Sequence, residues 1–253
     1  MAPSTGIGSG ERPATDKTGR DQAPPKTRVH ETLKRQILTL ELAPGADLDE
    51  VSLCARFDLS RTPLREVFRQ LAGEGYITLQ QNRGARVTDM SHTMLRGFFQ
   101  TAPMIYAAVL RLAAQNAAPA QIADLKDAQV GFRAALRSGV VAERALANNR
   151  FHEITGEMAG NVYLTPSFQR LLIDHSRVSM TFFRPHDRRA EENFTKASQQ
   201  HDAIIASIEA GDDDEAGRLA HEHWSLSRNQ IEMFVMPDGL DEPVGSARRA
   251  RFV

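Results

Sequence analysis

The run LSRTPLREVFRQLAGEGYI at Leu59–Ile77 narrows the possible folds more than any other stretch of this chain. Leu64, Val67, Phe68 and Leu71 recur at helical spacing and form one apolar face. Arg61, Arg65 and Arg69 recur every fourth residue. At 100° per residue they drift only about 80° around the axis, so they share one stripe. Ser60 stands where an N-cap belongs, and Pro63 lies near the first turn, where a missing N–H costs little. Gly73 and Gly75 bracket the helix end. A helix with an apolar back and an arginine front fits a DNA major groove, because arginine bonds guanine bidentately or clamps phosphate. The alternative is an ordinary amphipathic helix with a solvated arginine face, and the flanking residues argue against it.

Upstream, Val29, Leu33, Ile37 and Leu40 place a helix over Val29–Leu40, broken by Pro44-Gly45. Glu50–Phe57 reads as a short second helix, and Asp58-Leu59 as the turn into the arginine helix. Downstream, Tyr76–Gln80 and Ala85–Val87 read as short strands around the polar tip Gln81–Gly84. A helix-turn-helix followed by a glycine-tipped hairpin is a winged helix, and Arg83 and Arg86 of the wing would lie beside the phosphates. The net charge of −1 does not itself suggest nucleic acid, but Arg56–Arg86 holds six arginines against Asp58, Glu66 and Glu74.

After Asp89 the strand signal fades. Residues 94–234 are rich in Ala and Leu and are broken at Pro119, Gly139, Gly160, Pro185 and Gly211, which predicts a bundle of about six or seven helices. Pro103 should kink the first of these helices or delay its start. Asn148 and His152 are four apart and share a helical face. The fold class is thus mainly α, divided as a disordered tail at 1–25, a winged helix at 26–90, a helical domain at 94–234 and a tail at 235–253. The lone Cys54 excludes an internal disulfide and fits a reducing compartment. No apolar run approaches about 18 residues and the first residues lack an apolar h-region, so neither a transmembrane helix nor a signal peptide is read, and a cytoplasmic protein without membrane attachment is expected.

The stretches SRTPLRE, LAGEGYI and NRGARV resemble the GntR family of bacterial winged-helix regulators. NNRFHEITGEMAGNVYL at Asn148–Leu164, QQHDAIIASIEAGD at Gln199–Asp212 and AHEHW at Ala220–Trp224 resemble the FCD ligand-binding domain of its FadR-like subfamily. The resemblance implies DNA contacts from Ser60, Arg61, Thr62, Arg65 and Gly84, which Arg69, Arg83 and Arg86 would extend. It implies a divalent metal, zinc or nickel, on Asn148, His152, His201 and His223, since imidazole and oxygen donors suit such ions. It also implies a homodimer on a palindromic operator and a small-molecule effector, expected to be an organic acid.

The sequence departs from the family pattern at several positions. Val51 follows Glu50 where relatives carry Arg. Asn148 offers a neutral amide where a carboxylate is common. Ala102 and Tyr106 stand where relatives place Arg and Glu, which leaves Arg150 and Arg177 as candidate holders of an effector carboxylate. His30, His92, His175 and His186 read as surface or loop residues, and His221 points away from His223. A repressor, not an enzyme, is the expected function. The alternatives are a metal-dependent enzyme using the histidines, for which Glu153 beside His152 is a poorly placed base, and a constitutive DNA-binding protein without an effector.

Overall fold

The computed structural model describes residues 24–80, 84–185 and 188–235. The tails expected at 1–25 and 235–253 lie outside the described residues except at their inner ends, as do Arg83 and His186.

The N-terminal unit runs α1 (Pro25–Leu38), β1 (Asp47–Leu48), α2 (Glu50–Phe57), α3 (Arg61–Gly73), β2 (Ile77–Gln80) and β3 (Gly84–Val87). Asp58 adopts a left-handed conformation and makes the tight turn between α2 and α3, a geometry that Asp tolerates better than most residues. Asp49 caps α2, its carboxylate accepting from the Ser52 amide at 2.8 Å. Ser60 occupies the N-cap position of α3 without a side-chain capping bond. The sheet has the order β1-β3-β2, antiparallel throughout, with Asp47 and Thr78 both opposite Arg86. At two residues, β1 is too short to show an alternating pattern and was not expected from the sequence. Leu33, Ile37, Leu64, Phe68, Leu71, Ile77, Ala85 and Val87 close the core.

The C-terminal unit is a bundle of α4 (His92–Asn116), α5 (Pro119–Ser138), α6 (Val141–Ala159), α7 (Leu164–Phe182), α8 (Arg188–Ala210) and α9 (Asp213–Val235). The breaks fall where Pro119 opens a helix and where Gly139, Gly160 and Gly211 take positive φ. Pro103 does not delay α4, which starts at the Ser91 cap and continues through the proline. Ala102 and Tyr106 on either side of Pro103 are buried in the bundle core, so packing there favours an unbroken helix. Gly156 allows α6 to approach α7, since a Cβ at that position would lie 2.7 Å from the Phe168 ring.

The two units are joined through α7. Ile173 belongs to the winged-helix core, and burying such a side chain contributes about 1.5–3 kcal/mol. Ser176 Oγ donates to the Leu38 carbonyl at 3.4 Å, and Arg177 Nη1 donates to the Thr88 carbonyl at 3.0 Å. Arg177 is buried and paired with Asp174 at 3.4 Å.

Candidate functional site

On the N-terminal unit, Arg61, Arg65, Arg69 and Gly84 line one open groove of about 590 Å³ between α2, α3 and the β2–β3 hairpin. Ser60 and Thr62 are exposed at the start of α3. Gly84 has φ +83°, and a Cβ there would sit 3.0 Å from the Leu48 carbonyl, so both conformation and space call for glycine. The Arg65 guanidinium grips Glu50 bidentately, with Nε–Oε1 at 3.0 Å and Nη2–Oε2 at 3.1 Å. The Glu50 carboxylate beside it raises the Arg65 pKa and holds the fork in one orientation. Arg86 stands outside this groove. It is exposed and tied across the sheet to Asp47 at 2.8 and 3.2 Å.

Within the bundle, α6, α8 and α9 bring His152, His201 and His223 together, with one ring nitrogen from each lying within 4.8 Å of the others. Asn148, one turn before His152, is buried and shares a lining with His223. His221 is exposed. Two glutamines orient the imidazoles. Gln129 Nε2 donates to the Ser198 carbonyl at 2.8 Å and to Asp202 at 3.0 Å, so its Oε1 accepts from His201 Nδ1 at 3.1 Å. Gln200 Nε2 donates to Glu222 at 3.4 Å, and its Oε1 accepts from His223 Nδ1 at 3.0 Å. Each Nδ1 therefore carries the proton, and each Nε2 presents a lone pair. His201 Nε2 and both ring nitrogens of His152 are buried without a hydrogen-bond partner. Buried polar atoms left this way cost stability unless something else satisfies them. Neutral imidazoles with oriented lone pairs fit a divalent transition metal.

Burial is the leading cause of low pKa values throughout the cluster. It drives His152 and His201 well below the ordinary range, with neighbouring histidines adding to the shift, and lowers His223 to about 4. His175 corrects the sequence reading. It is not a surface residue but is buried on α7, with its ring 4.9 Å from that of His152, its Nδ1 hydrogen-bonded to the Tyr106 hydroxyl and its pKa lowered to about 3 by burial. His30 is also buried, bonded to Glu74 at 2.8 Å, whereas His92 is exposed. Periodicity could not place His175, because Ile173, Ser176 and Arg177 around it face a different unit. Gln129 did carry a signal, as a polar residue at helical spacing between the buried Leu125 and Phe132.

The two arginines expected to hold an effector carboxylate are not brought to the histidines. Arg150 faces a separate cleft of about 430 Å³ between the two units, paired with Glu157 at 2.9 Å and Glu153 at 3.5 Å. Arg177 is aimed at Thr88 and Asp174. The reason is helical phase: residue 150 is about 200° round from 152, and α7 turns Arg177 toward the winged helix. Glu153 accepts from Asn149 Nδ2 at 2.8 Å and pairs with Lys34 at 3.8 Å, on that same cleft.

Residues 25–87 match the family profile described as bacterial regulatory proteins, gntR family, and residues 99–226 match the FCD domain. The HTH-type transcriptional repressor RspR of Escherichia coli (strain K12) is 26% identical over 200 residues, covering 79% of this chain and 86% of the relative. The galactonate operon transcriptional repressor of the same strain is 26% identical over 213 residues, covering 76% and 90%. Among solved structures, E. coli McbR/YncC superposes with a TM-score of 0.68 at 17% identity, covering 84% of this chain and 98% of that one. A putative transcriptional regulator GntR from Rhodococcus sp. RHA1 gives 0.61 at 19% identity, covering 84% and 99%. These two structural likenesses concern the fold.

Proposed function

We propose, from the premise that this chain belongs to the GntR family of bacterial regulatory proteins and is a DNA-binding transcriptional regulator with an FCD domain, that it is a repressor whose operator affinity is set by the histidine centre of its bundle. Curated relatives named as repressors support the sign of regulation. The observation that carries the coupling is α7. One of its faces presents His175 to His152, and another face holds Ile173, Ser176 and Arg177 against the winged helix.

Arg61, Arg65 and Arg69 would enter the major groove, with Ser60 and Thr62 on phosphate and Gly84 letting the wing backbone approach. Arg86 would add phosphate contacts, as would Arg83, which lies between β2 and β3 in the sequence. Asn148, His152, His201 and His223 would hold a divalent zinc or nickel ion, which when bound supplies a cross-link between α6, α8 and α9. The acting unit would be a homodimer on a palindromic operator in the cytoplasm. Met104 on α4 and Val130 on α5 leave exposed apolar surface for a second copy. Among the described residues, no helix is long and apolar enough to cross a membrane.

The test uses the full chain and a duplex recovered from random DNA by in vitro selection, followed by fluorescence anisotropy. Arg65→Ala is expected to weaken binding by roughly 1–3 kcal/mol and relax selectivity at one base position. If affinity is unchanged while the melting temperature is preserved, the assignment of α3 as the reading helix fails.

A further inference from the structure

We infer that the effector of this bundle is the metal ion itself, with at most a water-sized ligand beside it, and not an organic acid. This rests on the histidine centre proposed above, and three observations carry it. The first is space. The cavity beside His152 and His223, closed by Tyr106, Leu110, His175 and Trp224, measures about 10 Å³. That is room for about one water, whereas sites for organic ligands run to roughly 300–1,000 Å³. The neighbouring space by Asn148 and Ser179 has essentially no volume of its own.

The second observation is charge. Among the described residues, no lysine or arginine lines either space. A carboxylate entering them would meet no side-chain cation, so the metal alone would have to make up for its lost hydration in a buried site. The metal needs only neutral donors with oriented lone pairs, and the two glutamines supply the orientation.

The third is the wall. Tyr106 packs edge-on against Phe168 at 4.9 Å and tilted against Trp224 at 5.6 Å, and Trp224 packs on Phe98 at 5.2 Å. Making room for an acid means displacing buried rings from a close-packed layer, whereas seating an ion does not. The route to DNA starts from the same wall. His175 is bonded to Tyr106 and lies against His152, and the next two residues of α7 hold the Leu38 and Thr88 carbonyls.

Trp224 is the only tryptophan in the chain, so its emission reports this cavity directly. The full chain is stripped with EDTA, dialysed, and titrated with zinc chloride or nickel chloride. Lactate, succinate and gluconate are then added to the loaded chain. The selected duplex reports affinity at each stage. Metal alone is expected to shift Trp224 emission and to change DNA affinity by about 5-fold or more, the usual lower range of allosteric coupling. The acids are expected to change neither. Metal uptake with unaltered DNA affinity overturns the inference and leaves a purely structural metal. An acid that moves emission or DNA affinity beyond the effect of metal also overturns it, while the metal centre stands. A stripped chain that takes up neither ion, with emission and melting unchanged, refutes the metal centre itself and the inference with it.

Discussion

Acidification of the metal-free chain should collapse its stability between pH 7 and pH 5. Four histidines, at 152, 175, 201 and 223, are buried in one cluster, and burial lowers the pKa of each, to about 3 for His175 and about 4 for His223. A histidine whose folded pKa is depressed stays neutral in the native state while the unfolded chain takes up a proton. The stability it contributes is present above its ordinary pKa near 6.5 and is lost as the pH falls toward the folded value. Between pH 7 and pH 5 each such group costs about 2 kcal/mol, and four together cost roughly 7–8 kcal/mol. Typical domains have about 5–15 kcal/mol in all. Asp49, Glu66 and Glu215 have pKa values lowered from the ordinary carboxylate range, so their titration falls below this window, whereas burial raises that of Asp174, which offsets part of the loss. The assay is urea unfolding of EDTA-stripped protein at several pH values, read by far-ultraviolet circular dichroism. The slope near pH 5 should approach four protons. A loss under about 2 kcal/mol over the two pH units would mean that the cluster is hydrated or open, contrary to its burial. Excess zinc, which binds the neutral rings of the native state alone, should move the transition to lower pH.

Gln129→Leu and Gln200→Leu should each lower metal affinity by about 10–100-fold while leaving the donors in place, because each frees an Nδ1–H that now fixes a tautomer; calorimetric zinc titration checks this, and unchanged affinity would remove the glutamines from the site. Asn148→Asp should tighten metal binding, since a carboxylate adds charge beside a dication. Elemental analysis after dialysis measures it, and equal or lower occupancy would place residue 148 outside the donor set.

The DNA-reading unit was the most legible part of the chain. Helix α3 was visible because its apolar and arginine stripes obey one local period, and the wing because glycine and polar residues punctuate it. The bundle was legible as helices through its breakers at Pro119, Gly139, Gly160 and Gly211. Local spacing put Asn148 and His152 on one helical face, and their reading as ligands came from likeness to the family. His201 and His223 were expected beside them only by likeness to a family, since helices α6, α8 and α9 meet through packing that no spacing rule encodes.

What the sequence by itself determined is what rests on contacts within a few residues: the helical stripes, the caps and the turns. What only the tertiary structure decided is how faces of different helices meet. His175 looked peripheral because α7 serves two cores at once, with Ile173 in the winged helix and Leu172 in the bundle. A single hydrophobic period cannot describe such a helix. Arg177 carried the charge expected of an effector ligand, yet its position in the phase of α7 sends it to the Thr88 carbonyl. The strand β1 exists only because β3 lies beside it. The tightness of the cavity behind Tyr106 and Trp224 follows from how side chains from several helices fill one volume, a property of the assembled core and of no segment within it.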